Sequence, residues 1–121
     1  MSVNTGNGSV TNISNIVKEI HGIMHKRLGS VISSSVSANT NVFSSNLISD
    51  ISGHFYITIL TNTSSVVNVI FNGVTMAINQ GNALNANAGC TFQMPMSEGD
   101  TLNIQFATAG TVSVFVDEWA V

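Results

Sequence analysis

The segment "VIFNGVTM" (residues 69–76) decides how the chain is expected to fold. Its Asn72-Gly73 pair separates two apolar runs, and this pair is the strongest short signal for a two-residue β-hairpin because both residues tolerate a positive φ. After the turn, Val74 and Met76 alternate with Thr75, as expected for a strand with one apolar side. The segment therefore predicts two antiparallel strands that are joined directly within one sheet.

The same period-two alternation runs through most of the chain after Gly29. Alternation of apolar and polar residues is typical of antiparallel strands with one packed face and one face in water. Five segments show it clearly, and three further segments complete a set of eight strands. The predicted strands cover residues 30–37, 42–48, 55–60, 66–72, 74–79, 90–96, 101–106 and 111–116.

Eight short strands favour an antiparallel sandwich or barrel. The Asn72-Gly73 turn joins the fourth strand to the fifth, and in an eight-stranded jelly roll these two are neighbours in one sheet while most other successive strands lie in opposite sheets. The loop 79–89, "NQGNALNANAG", is long enough and rich enough in turn formers to cross between sheets. A crossing at Ala109-Gly110 would be short. The sequence thus predicts a mainly β, eight-stranded antiparallel jelly-roll sandwich over residues 30–121.

Two segments precede the predicted sandwich. Residues 1–12 have the composition of a flexible polar tail, and residues 13–28 carry a helical apolar period. Lys26 and Arg27 would fall in the last helical turn, where cations are favourable, and Gly29 stands where a helix often ends. We therefore expect an amphipathic α-helix over 13–28 that docks on the sandwich. Its apolar stripe consists of Ile13, Ile16, Val17, Ile20 and Met24.

The composition excludes several functions. Charged residues make up 7% of the chain, against roughly 25% in an average soluble domain, so little material for acid–base chemistry is present. Residues 28–121 contain no Lys or Arg, which argues against nucleic-acid binding by the sandwich. No apolar run approaches the length of a membrane span, and no secretory signal is recognisable at the start.

Three histidines and one cysteine are the candidates for metal binding or catalysis. His21 and His25 are spaced as two zinc ligands on a helix would be, but His54 is the only further histidine and Gly22 stands where a zinc-protease motif has glutamate. Cys90 is in phase with the packed side of its strand, which favours a small buried side chain over a nucleophile. We expect no metal, no cofactor and no enzymatic activity.

Apolar side chains also occur on the predicted outer face of several strands. Phe115 and Trp119 oppose the valines of the last strand, and Tyr56 opposes Phe55 and Ile57. An exposed apolar surface rimmed by polar residues indicates a subunit interface, although the N-terminal helix could cover it within one chain. The predicted oligomer or docking interface comprises Ile13, Ile16, Val17, Ile20, Met24, Lys26, Arg27, Tyr56, Phe115 and Trp119.

The segment "AGCTFQMPMSEGDTLNIQFATAGTVSVFVDEW" (residues 88–119) resembles the C-terminal half of small jelly-roll domains in structural proteins of viruses and phages. Pro95, Gly99 and Asp100 match the Pro-x-x-x-Gly-Asp turn of those domains. The resemblance implies a virion protein of capsid, vertex, decoration or tail-spike type, which assembles with itself, for example as a trimer or pentamer, and with other virion proteins. The alternative is a lectin-like β-sandwich that binds carbohydrate or a host receptor.

Overall fold

A computed structural model describes residues 25–120, and these residues form two antiparallel four-stranded sheets. The expectation of a mainly β chain with eight strands is confirmed within this range. A short 3-10 turn at Asn79–Gly81 is the helical element there. The strands are β1 (His25–Val36), β2 (Leu47–Ile48), β3 (Gly53–Thr61), β4 (Val67–Phe71), β5 (Val74–Ala77), β6 (Cys90–Met96), β7 (Thr101–Phe106) and β8 (Gly110–Ala120).

The strand order is β1-β8-β3-β6 in the first sheet, here called sheet A, and β2-β7-β4-β5 in the second, sheet B. Of the seven connections between these strands, six cross from one sheet to the other. The exception is the β4–β5 hairpin, whose turn residues Asn72 and Gly73 have φ values of 50° and 81°. The predicted hairpin and the predicted crossing over 79–89 are therefore confirmed. The connection at Ala109-Gly110, whose sequence suits a tight turn, also crosses between the sheets despite its short length.

The core lies between the two sheets and follows the predicted alternation. Phe55, Ile57 and Ile59 of β3 have no exposed surface, while Tyr56 and Leu60, which alternate with them, are exposed. Complete burial of side chains of this size stabilises a fold by about 1.5–3 kcal/mol each. The remaining fully buried apolar side chains are Val67, Val69, Leu102, Ile104, Phe106, Val112, Val114 and Val116.

The alternation was a poorer guide to the extent of the second strand and to the burial of the fifth. The expected strand 42–48 is reduced to Leu47–Ile48, because the amide side chain of Asn103 bonds the chain ahead of it. Asn103 Oδ1 accepts from Phe43 N–H at 3.1 Å, and its Nδ2 donates to Phe43 O at 2.9 Å. In β5 all four residues, Val74–Ala77, are exposed, so its apolar side is not buried among the described residues.

The end of the predicted helix is wrong, since His25 to Leu28 belong to β1 and the sandwich begins at His25 rather than 30. These residues pair with β8, with His25 opposite Trp119. The rest of the expected helix, including Ile13, Ile16, Val17, Ile20 and Met24, lies outside the described residues, as does the tail 1–12. The two cations attributed to a last helical turn bind carboxylates instead: Arg27 pairs with Asp117, and Lys26 pairs with Asp50.

Candidate functional site

The outer face of sheet A gathers aromatic side chains of neighbouring strands, of which Tyr56 is exposed and Phe115 and Trp119 are half-buried. Residues of β8 and β3 form cross-strand rows on this face: His54 lies opposite Trp119 in one row, and Tyr56 lies opposite Asp117 in the next. β1 extends the same two rows on the other side of β8. We call this surface the aromatic face and define it as His25, Arg27, His54, Tyr56, Leu60, Phe115, Asp117 and Trp119.

Trp119 is held between two other rings. The imidazole of His25 stacks on it with ring centroids 4.4 Å apart and an interplanar angle of 28°. Tyr56 approaches from β3 with a centroid distance of 5.7 Å and a tilt of 51°. Tyr56 remains 40% exposed, so its ring is available for contact with another molecule. Aromatic pairs of this kind fix ring positions and present a large apolar area with little loss of side-chain entropy.

The charges of the aromatic face are paired with one another. Asp117 binds the guanidinium of Arg27 through both carboxylate oxygens, with Nη2 and Oδ2 3.5 Å apart. His25 Nε2 lies 3.3 Å from the same Oδ2, and the guanidinium carbon lies 4.8 Å from the centroid of Phe115. The single carboxylate of the aromatic face is therefore bound by two basic side chains.

A second group of charges lies on the core side of the same strands. Glu118 is completely buried, in phase with the valines of β8. Its Oε1 accepts a hydrogen bond from Asp50 N–H at 3.0 Å, while Oε2 has no partner among the described residues. Lys26 lies opposite Glu118 and donates to the carboxylate of Asp50. This group ties the start of β1 and the end of β8 to the loop between β2 and β3.

The nearby carboxylate of Asp50 also changes the pKa of Lys26. The hydrogen bond from Lys26 Nζ to Asp50 and the charge of that carboxylate raise the pKa of Lys26 above its usual value. Glu118 adds a smaller effect in the same direction, and desolvation opposes it. Lys26 is therefore a structural cation of this corner and does not belong to the aromatic face.

The structure brings together four of the predicted interface residues, Arg27, Tyr56, Phe115 and Trp119. It separates Lys26 from them. The burial of Glu118 was not predicted from the sequence. It could have been, because Glu118 is in phase with the buried valines of the last strand. The five apolar residues of the predicted helix lie outside the described range.

The histidines and the cysteine were the candidates for metal binding or catalysis. His25 and His54 occupy the two strands on either side of Trp119, and His21 lies outside the described residues. Within residues 25–120, no group of three or more His, Cys, Asp or Glu side chains is placed to hold a metal ion. Cys90 is a free thiol that is partly buried and packs against the core.

No protein-family model matches this sequence, and a search of curated proteins finds none with significant similarity. None of the helical structure between residues 25 and 120 is long and apolar enough to cross a bilayer. The function must therefore be inferred from the fold and from the aromatic face.

Proposed function

We propose that this protein is a non-enzymatic structural protein of a virus or phage particle. In this proposal it is a small jelly-roll subunit that associates with copies of itself through the aromatic face and contacts other virion proteins. The segment 13–24, with its apolar stripe, docks against the sandwich or a neighbouring subunit. A trimer and a pentamer both suit such an arrangement.

The strand order is the observation that carries the proposal. Two four-stranded antiparallel sheets whose successive strands alternate between sheets, except for β4 and β5, are what a jelly roll requires. Jelly rolls form the shells of many viruses and also occur in lectins, so this fold is compatible with both functions. The resemblance of residues 88–119 to small virion jelly rolls favours a virion protein over a lectin.

The aromatic face supports self-association. Tyr56 and Leu60 are 40% and 43% exposed, and Phe115 and Trp119 extend the same surface. Aromatic residues and arginine are enriched in the cores of protein interfaces, whereas most charged residues are depleted there. With Arg27 neutralised by Asp117, copies can approach each other at this face without strong repulsion.

The test is the mass of the full-length protein in solution, measured by light scattering over a range of concentrations. We expect an oligomer whose mass falls in the double variant Tyr56→Ser, Leu60→Ser, through loss of the contacts at the aromatic face, and is kept in Ile32→Ser. Ile32 is 69% exposed but lies in β1 outside the aromatic face, which makes it a matched control. Detection in purified virus particles tests the location. A strictly monomeric protein that is absent from particles would refute the proposal.

Carbohydrate binding is the second candidate, because Tyr56 offers an exposed ring beside groups that bind sugars. The ring lies between the cross-strand neighbours Asp117 and Gln93, whose oxygen and amide groups can bond hydroxyls. A glycan array is the direct test. A hit that is lost in Tyr56→Ser while the oligomer mass is unchanged would favour this function, and an array without any hit would retire it.

A further inference from the structure

The four edge strands of the two sheets differ in how they are protected. An edge strand carries unpaired backbone N–H and C=O groups, and natural proteins prevent unwanted pairing with charges, proline, bulges or very short strands. β1 carries Lys26 and Arg27 and two register shifts, β6 contains Pro95, and β2 has only two residues. β5, Val74–Ala77, has none of these features.

β5 is also open on its apolar side. Val74 and Met76 lie opposite Phe71 and Val69 of β4, the latter fully buried, and therefore point to the core side of sheet B. Nevertheless Val74 is 60% exposed and Met76 is 39% exposed. Exposed apolar residues on an unprotected edge are the usual marks of a strand that pairs with another chain.

The charge distribution identifies the kind of chain that fits. Residues 51–97, which include β3 to β6, contain no Asp, Glu, Lys or Arg. Across a two-fold axis an edge strand meets its own copy, so a charge near the axis would lie close to the same charge on the partner. An uncharged edge is free of this repulsion, which makes a second copy of the same strand a suitable partner.

The hairpin fixes which backbone groups of β5 are free. The two-residue turn makes Phe71 and Val74 the first hydrogen-bonded pair, and Ile78 N–H donates to Val67 O at 3.0 Å at the other end. Met76 lies midway and also bonds to β4. The N–H and C=O groups of Thr75 and Ala77 consequently point away from sheet B.

The geometry points to β5 as a self-association site that pairs antiparallel with β5 of a second copy about a two-fold axis at Met76. Thr75 then lies opposite the partner's Ala77 and exchanges two hydrogen bonds with it, and the symmetric pair supplies two more. The two Met76 residues form a pair without backbone hydrogen bonds, in which side chains are closest, and their thioethers cover each other. The two copies of sheet B become one continuous eight-stranded sheet.

Sedimentation of the full-length chain with Tyr56→Ser and Leu60→Ser tests this site apart from the aromatic face. Thr75→Pro removes a free N–H while sparing the β4–β5 bonds, and Met76→Lys places two like charges on the axis. We expect each to weaken the dimer about tenfold or more. Ile32→Lys adds the same charge at another exposed position and should leave it unchanged. Equal association in all variants would overturn the proposal.

Disulfide trapping gives an independent readout that does not depend on a destabilised strand. In a Cys90→Ser background, Met76→Cys places two thiols at the axis, within the range of a disulfide. Oxidation with diamide should link the chains as dimers, while Ile32→Cys should not. Two results would overturn the two-fold pairing. One is a failure of Met76→Cys to link, which is expected if residues 1–24 of the same chain cover β5. The other is equal linking at Met76→Cys and Ile32→Cys. If the wild-type protein forms the β5 dimer but no oligomer through the aromatic face, that result would instead count against the proposed function.

Discussion

The start of β1 and the uncharged segment 51–97 are held in the fold by different interactions. At the start of β1, two cations reach carboxylates that are distant in the sequence: Lys26 binds Asp50, and Arg27 binds Asp117 across 90 residues. Segment 51–97 contains no charged side chain and relies on apolar burial and on the hydrogen bonds of its strands. The comparison suggests that ion pairs fix where the chain enters the sandwich, whereas the apolar core supplies most of the stability.

The largest effect is expected from the core of the uncharged segment. Phe55 is fully buried and makes an edge-to-face contact with Phe71 at 6.4 Å between ring centroids. Phe55→Ala should lower the free energy of unfolding by about 3–5 kcal/mol, measured by denaturant titration. The exposed residue Ile32 provides the control, since Ile32→Ala should change it by less than about 0.5 kcal/mol. A loss at Phe55 as small as that at Ile32 would contradict the assigned core.

A smaller effect is expected from Glu118 in the charged corner. Glu118→Ala leaves the N–H of Asp50 without its acceptor and should cost about 1–3 kcal/mol of stability in the same titration. Glu118→Gln keeps a side-chain oxygen that can accept from that N–H, so its cost should be lower. If both variants lose equal stability, the hydrogen bond to Asp50 is not what Glu118 contributes.

The Arg27–Asp117 pair should contribute less than the buried groups. Because the Arg27 side chain is 48% exposed, Arg27→Gln should cost about 0.2–1 kcal/mol at low salt. Salt screens exposed pairs, so the difference from the wild type should shrink as sodium chloride is added. A loss that is independent of salt would indicate that packing of Arg27 on Phe115 matters more than its charge.

The smallest effect is expected at Asp100 and should depend on pH. Hydrogen bonds from Ser97 N–H and from Asn72 Nδ2 lower the pKa of Asp100 below its usual value. Since the pKa is lower in the folded than in the unfolded state, the carboxylate stabilises the fold at neutral pH. This contribution is lost as the pH falls from about 3.9, the usual value for Asp, through the folded-state pKa.

Thermal unfolding of Asp100→Asn and of the wild type checks this expectation. The difference between their midpoints should be present at neutral pH and should narrow as the pH falls through that window. A difference that stays constant down to the lowest pH would show that ionisation of Asp100 does not contribute.

Local patterns were sufficient for most strands and for the sides on which their residues lie. Asn72-Gly73 could be assigned because a two-residue turn is encoded by its own residues, and Tyr56 and Trp119 could be placed outward from their phase with buried neighbours. The candidate surface was thus predictable for the residues of β3 and β8.

The errors arose where distant residues decide the structure. His25–Leu28 follow a pattern that suits a helix end, and only pairing with β8 makes them a strand. The exposure of β5 could not be predicted, since alternation gives the side of a residue but not whether the other sheet covers it. The partners of Glu118 and Asn103 are likewise set by packing between distant segments.

The pairing of β1 with β8 has a consequence for the order of folding. Ser33 N–H donates to Ser113 Oγ across 80 residues of chain, so β1 can find its neighbour only after β8 has been synthesised. Contacts of such long range slow folding, because the closure of a large loop precedes any gain from pairing. The outer surface formed by β1, β8 and β3 is therefore completed late, and a chain that has not yet been synthesised as far as β8 does not present it. Synthesis itself then delays contact between copies until each of them can fold.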